Sequence, residues 1–249
     1  MTFTEALILI AAGLFAGCIN TLAGGGSLIT MPLLIFMGLP SVEANASNRV
    51  ALFIQNIFAI QGFRSKGVFL FPFSLWLGIS ATFGALIGAN IAVDIKGNTF
   101  NKILAIVMIL VMVLTLVKPY LSRDRIEEYF GKKQTLLSIL IFFGIGIYGG
   151  FIQAGVGFLI IAALTNIHGL NMAKTNSVKV TVILIYTVSA LVVFQLEGAI
   201  RWQYGLILAL GNAIGGWITS RWSVGKNDKW VRAVLVVTVS ALAIKLWFF

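Results

Sequence analysis

Charged side chains are missing from four long stretches of the chain: Ala6 to Val42, Gly67 to Val93, Gln134 to Ala173 and Trp202 to Ser220. A membrane-spanning helix needs about 20 mostly apolar residues, so these stretches predict spans. The first holds about 37 residues. As one straight helix it would be roughly 55 Å long, against a hydrocarbon core of about 30 Å, so it must break or fold back. The break is expected at Ala23-Gly24-Gly25-Gly26-Ser27, where three glycines forfeit helix propensity and Ser27 can cap a new helix. The third stretch has the same excess length, and its break falls at Ala154-Gly155-Val156-Gly157.

The two breaks lie 131 positions apart, and the same offset pairs Ala23/Ala154, Gly24/Gly155, Gly26/Gly157, Leu28/Leu159, Ile29/Ile160, Leu33/Leu164, Gly38/Gly169, Leu39/Leu170 and Asn45/Asn176. Gly67/Gly198, Gly84/Gly215 and Val93/Val224 keep the register farther along. This predicts a tandem duplication, with repeats at about 1–118 and 133–249 joined by a cytoplasmic loop 119–132, all within one integral membrane domain, 1–249. Each half reads as five apolar segments: 4–22, 27–38, 43–63, 68–93 and 99–118, then 135–153, 158–168, 174–195, 200–221 and 230–248. Segments 27–38 and 158–168 are too short to span, so each is expected to reach only part of the way, as a re-entrant arm. The fold class is therefore all-α integral membrane, with 8–10 transmembrane segments in two repeats.

An odd number of segments per half inverts one half relative to the other. Alternating sides puts Arg64, Lys66, Lys118, Arg123, Arg125, Lys132, Lys133, Lys174, Lys179, Arg221, Lys226, Lys229 and Arg232 together, leaving Arg49, Lys96, Lys102, Arg201 and Lys245 opposite. Basic residues concentrate on the cytoplasmic side, so this split predicts inverted-topology repeats with both termini periplasmic in a bacterial inner membrane.

Composition narrows the function. With 59% hydrophobic and 10% charged residues, the chain cannot clothe a water-facing surface of this size. The net charge of +10 reads as loop charges that set orientation, and no nucleic-acid partner is expected. One cysteine and one histidine leave no usual metal site, and no cofactor is expected. Phe15-Ala16-Gly17-Cys18 faintly imitates a lipoprotein cleavage site, but no basic region precedes it and the apolar stretch continues. Cys18 is read as a small packing residue. Trp202, Trp222, Trp230 and Trp247 stand near segment ends, as interfacial anchors do.

Inverted repeats with paired broken helices are a transporter architecture, with substrate held where the breaks meet. The helices starting near Ser27 and Phe158 would aim free N–H groups, and the positive end of a helix dipole, into that cavity. Gly24, Gly25, Gly26, Ser27, Gly155 and Gly157 are the candidate backbone wall. Asn45, Ser47, Asn48 and Arg49 follow in the first half, and Lys174, Thr175, Asn176, Ser177 and Lys179 in the second. Amides, hydroxyls and cations with few nearby acids suit a small oxyanion, with Arg49 capable of a bidentate grip. The opposing reading makes Arg49, Lys174 and Lys179 interfacial residues and the Asn/Ser cluster a helix cap. Gly78, Gly84, Gly88, Gly211, Gly215 and Gly216 read as helix packing. Glu43 is the one acid beside the site, a proton carrier or an ion partner for Arg49, and His168 reads as a packed residue. A cation exchanger would place carboxylates inside the spans, and an enzyme would need a catalytic constellation that is missing here. An anion channel stays as the alternative to a carrier, and a homo-oligomer as an alternative to a monomer.

Gly24-Gly25-Gly26-Ser27, then Gly38-Leu39-Pro40, then Ala44-Asn45-Ala46-Ser47-Asn48-Arg49-Val50 resembles the TauE/SafE family of bacterial sulfite-exporter-like membrane proteins. The resemblance is densest over residues 13–63 and implies plasma-membrane transport of sulfur-containing anions such as sulfite, thiosulfate or organosulfonates. The second half departs from the pattern, with Val156 and Phe158 where Gly25 and Ser27 stand.

Overall fold

The computed structural model describes residues 1–95, 99, 100, 102–104, 106 and 128–225. Within them the chain is helical, without strands, in the order α1 (Phe3–Leu22), α2 (Ser27–Phe36), α3 (Ser41–Arg64), α4 (Phe73–Asp94), α5 (Lys132–Phe151), α6 (Val156–His168), α7 (Met172–Leu196) and α8 (Trp202–Ser223). Most of segment 99–118, segment 230–248, residues 119–127 of loop 119–132, Trp230 and Trp247 lie outside the described residues, as do Lys96, Lys118, Arg123, Arg125, Lys226, Lys229, Arg232 and Lys245.

The all-helical membrane class is as the sequence predicts. Helices α1, α4, α5 and α7 are long and apolar enough to cross a membrane. Their outer faces present large apolar side chains to the surroundings, among them Trp76, Phe83 and Ile87 on α4 and Leu136 and Leu140 on α5. Helices α3 and α8 are comparably long, with 24 and 22 residues, but carry polar residues that they bury against neighbouring helices.

Both breaks fall where excess length demands them. Helix α1 ends at Leu22 and α2 opens at Ser27, while α5 ends at Phe151 and α6 opens at Val156, two residues before the expected Phe158. Gly24 and Gly155 turn the chain at φ 81° and 72°, conformations that a Cβ makes costly. Helices α2 and α6, of 10 and 13 residues, extend only about 15 and 20 Å, short of the core thickness. Ser27 is not the cap expected of it. Gly26 holds the N-cap position, and the Ser27 hydroxyl accepts a hydrogen bond from Asn48 instead, 3.1 Å away. Gly24/Gly155, Gly38/Gly169 and Gly67/Gly198, paired at the 131-residue spacing, all take positive φ.

The halves interlock. Helix α1 packs on α8, α4 on α5 and α7, and α3 on α8 and α7. Glycine permits the closest of these approaches: a Cβ built on Gly84 would lie 2.1 Å from the Phe143 carbonyl oxygen, and one on Gly211 would lie 2.0 Å from that of Ile10. Gly88 and Gly215 make the same kind of backbone contact one turn later, whereas Gly78 faces the Ile185 side chain and Gly216 that of Gln55. Cys18 packs there too, its thiol toward the Gly215 carbonyl.

Contact registers set the helix directions. Gly211 meets Ile10 and Leu14, and Gly215 meets Leu14 and Cys18, so α1 and α8 run the same way. Gly84 against Phe143 and Ile147, then Gly88 against Ile147 and Phe151, make α4 parallel to α5. Gly205 against Ser47 and Val50, then Gly62 against Ser220, make α3 parallel to α8. Gly78 against Ile185, then Thr82 with Ser189, make α7 parallel to α4. Helices α3 and α7 run oppositely, because Arg49 stacks on Phe194 while Ala59 and Phe63 cluster with Val180.

Candidate functional site

The two glycine turns meet each other. A Cβ added to Gly24 would stand 2.1 Å from the Gly157 Cα, and one added to Gly157 would stand 2.2 Å from the Gly24 Cα. Gly26 is pressed against the Ala16 carbonyl oxygen, and the Phe158 ring lies over Gly25. Hydrogen bonds of the new helix begin with Leu28, Ile29 and Thr30, whose amides reach the carbonyls of Gly25 and Gly26. The amides before them form the positive end of α2.

Each broken helix leaves carbonyls unclosed at its C-terminus, and a cation from the opposite half closes them. Arg49 on α3, fully buried, donates from Nη1 to the Gly149 carbonyl at 2.9 Å and from Nη2 to the Gly150 carbonyl at 2.6 Å, both near the end of α5. Its Nη1 also reaches the Gln153 Oε1 at 3.2 Å, and Nη2 lies 3.4 Å from the Asn45 Oδ1. Asn45 in turn donates from Nδ2 to the Phe151 carbonyl at 2.8 Å. Lys179 on α7, also fully buried, donates from Nζ to the Thr21 carbonyl at 2.8 Å and to the Asn176 Oδ1 at 2.7 Å. A cation at the negative end of a helix is favourable, and these orphan carbonyls need donors. The guanidinium group that the sequence offered as an anion clamp thus spends its terminal nitrogens on the protein, leaving Nε without a partner.

Asn48 fastens α2 to α3, donating to the Ser27 Oγ and accepting from the Thr30 hydroxyl at 2.6 Å. Asn176 is buried with its Nδ2 unpartnered. The turns and the polar face of α3 therefore converge on one buried region containing Gly24, Gly157, Ser27, Asn45, Asn48 and Arg49, with Lys179, bonded to Asn176, reaching the end of α1. Among the buried polar and charged residues described, Arg49, Lys179 and His168 are the ionisable cationic types, and no Asp or Glu is buried with them.

Several residues here escaped the sequence reading. Gln153 holds φ 66° without being glycine, and its Oε1 accepts from both Arg49 and the Tyr186 hydroxyl. Its place beside Ala154-Gly155 was the available signal. Gln55 bonds Asn20 and Thr21 near the end of α1, and no spacing rule pairs residues so far apart in the chain.

Other candidates lie elsewhere. Glu43 pairs with Arg201, not Arg49, through two contacts of 2.7 Å. It sits in the first turn of α3 on the exposed side, whereas Arg49 points inward. That carboxylate raises the Arg201 pKa above its ordinary value by hydrogen bonding and charge. Lys174 is part-exposed and pairs with Glu128 at 2.7 Å. Ser47 accepts from the Arg201 amide, Ser177 donates to the Val68 carbonyl, and Thr175 donates to that of Leu170. His168 is packed as expected, bonded to the Ser138 hydroxyl at 2.7 Å and the Tyr129 carbonyl at 2.6 Å. Because Arg49 and Lys179 are core residues, each drops out of the loop-side charge tally, one from either side.

Against this geometry, the family model described as sulfite exporter TauE/SafE matches residues 9–246. The chain belongs to the sulfite exporter TauE/SafE family. It is 25% identical over 246 residues to the probable membrane transporter protein ORF9 of Sinorhizobium sp, covering 99% of this chain and 94% of that one. It is 29% identical over 244 residues to the probable membrane transporter protein YfcA of Escherichia coli K12, covering 97% and 89%. It is 24% identical over 234 residues to the probable membrane transporter protein YunE of Bacillus subtilis, covering 84% and 85%. No solved structure matches the chain significantly. This family member is accordingly a membrane transporter and not an enzyme.

Proposed function

We propose that this TauE/SafE member carries a small oxyanion, of the sulfite, thiosulfate or organosulfonate kind, across a bacterial plasma membrane by alternating access. The carrying observation is the pair of fully buried cations, Arg49 and Lys179, with no buried carboxylate among the described residues to neutralise them. Buried positive charge that no carboxylate neutralises attracts anions and repels cations. The family description names sulfite as the cargo of its type, which agrees in sign and size.

Inverted repeats supply the two access states. Supporting this arrangement, α1, α3 and α8 run one way and α4, α5 and α7 the other, so each long helix opposes its counterpart at the 131-residue offset. Each half then presents one buried cation to the broken helix of the other. With the basic loops cytoplasmic, both termini are periplasmic.

The test is a thermal-stability screen of purified protein against sulfite, thiosulfate, sulfate, taurine and acetate. Binding to the folded state raises its melting temperature by mass action. Stabilisation by a sulfur oxyanion, saturating with concentration and absent with acetate, is expected; no anion response at all overturns the reading.

A further inference from the structure

Two fully buried polar side chains have no hydrogen-bond partner on any side-chain polar atom: Asn56, at both Oδ1 and Nδ2, and Thr187, at Oγ1. Both are 0% exposed, and neither has a part in the cation caps described above. Leaving such groups unmet inside a membrane protein costs about 1–3 kcal/mol each, and they are replaceable by apolar residues of the same shape, so their presence needs a cause.

Their placement is specific. Helices α3 and α7 cross in opposite directions, fixed at one end by Arg49 over the Phe194 ring, 5.0 Å from its centroid, and at the other by Phe63 and Ala59 with Val180. Asn56 stands seven residues beyond Arg49 and seven before Phe63; Thr187 stands seven before Phe194 and seven after Val180. Seven residues are two helical turns, so both residues lie on the faces that these contacts turn toward each other, at the middle of the crossing. They are also counterparts at the 131-residue offset, which in the inverted-repeat reading puts them on either side of the axis relating the two halves. Any element on that axis keeps its place when the halves exchange conformations, so a ligand held there is reachable from either state.

The electrostatic setting selects the ligand. Arg49 lies about 10 Å from Asn56 along α3, and Lys179 about 12 Å from Thr187 along α7, at opposite ends of the crossing. No buried carboxylate stands among the described residues. The asparagine amide offers two N–H donors and the threonine hydroxyl one, a set matched to an oxygen-rich anion.

We propose that Asn56 and Thr187 form an axial station that hydrogen-bonds the transported oxyanion at the α3–α7 crossing, midway between the two buried cations. This rests on the oxyanion reading of the transporter and adds where, and by which neutral groups, the anion is held. Arg49 and Lys179 then act through their field, their donors being engaged on helix ends, while the axial pair makes the direct contacts.

The test is sulfite and thiosulfate binding by the purified full-length protein, measured by calorimetry alongside thermal stability, for wild type, Asn56→Leu, Asn56→Asp, Thr187→Val and Thr187→Ser. Asn56→Leu is expected to weaken binding at least tenfold while the unliganded protein melts no lower than wild type, because orphan polar atoms are removed. Asn56→Asp should weaken it further by charge repulsion. Thr187→Val should lose several-fold, and Thr187→Ser, which keeps the hydroxyl, should bind like wild type. If Asn56→Leu fails to insert, the Thr187 pair decides alone. Unchanged affinity in both Asn56→Leu and Thr187→Val overturns the station while leaving the oxyanion function intact. Tighter binding of sodium or potassium by Asn56→Asp, with anion affinity unchanged, overturns it in favour of a cation. Wild type that binds no oxyanion overturns the functional reading first.

Discussion

Replacing Arg49 by Gln tests whether the buried guanidinium serves the fold or only the cargo. The side chain supplies donors to the Gly149 and Gly150 carbonyls and to the Gln153 Oε1. Glutamine is shorter and cannot reach both carbonyls, so at least two buried acceptors lose their partner at about 1–3 kcal/mol each. The lost charge also removes a favourable interaction with the C-terminal end of α5, worth about 1 kcal/mol. The sum is about 3 kcal/mol or more, enough to lower the melting temperature by roughly 6–12 °C for a chain of this size. Arg49→Lys keeps the charge but only one carbonyl contact at a time, and should fall between. The assay is thermal unfolding of detergent-purified protein without anion, with Arg201→Gln as a control, since that exposed ion pair contributes at most about 1 kcal/mol. Arg49→Gln protein as stable as wild type would refute the cap and return the guanidinium to direct anion binding.

Gly24→Ala should abolish stable folding, because the turn holds φ 81° and the new Cβ meets the Gly157 backbone; Gly144→Ala, with no heavy atom within 4 Å of its Cβ position, should melt at or slightly above wild type. Glu43→Gln should cost less than about 1 kcal/mol, and that difference should shrink in 0.5 M salt as screening removes the pair. In a Cys18→Ser background, Ser65→Cys should react with a membrane-impermeant thiol reagent only from the cytoplasmic side and Gly198→Cys only from the periplasmic side; the same sidedness for both would refute inverted halves.

Helix breaks were legible because length left no choice: a stretch from Ala6 to Val42 cannot be one helix in a bilayer, and glycine is where it yields. The glycines matched at the 131-residue offset were legible as turns, since Gly38, Gly169, Gly67 and Gly198 all take positive φ, a conformation that favours glycine. Partner choice was not. Arg49 finds carbonyls a hundred residues away, and a backbone acceptor carries no mark in the sequence. Glu43 finds Arg201 rather than Arg49 because helix phase turns one residue outward and the other inward, which the polar clustering of α3 concealed. Asn56, beside Gln55, and Thr187, between Tyr186 and Val188, are neutral polar residues with no charge to mark them; their significance lies in what fails to meet them.

Counterflow in proteoliposomes bears most directly on an oxyanion carrier working by alternating access. Vesicles loaded with unlabelled sulfite and diluted into a trace of radiolabelled sulfite should accumulate label transiently above its equilibrium level, because one site exchanges across the membrane. Unlabelled acetate inside should give no such overshoot. Label that merely rises to equilibrium regardless of the internal anion would contradict a carrier, and no sulfite-dependent uptake of any kind would contradict the anion assignment itself.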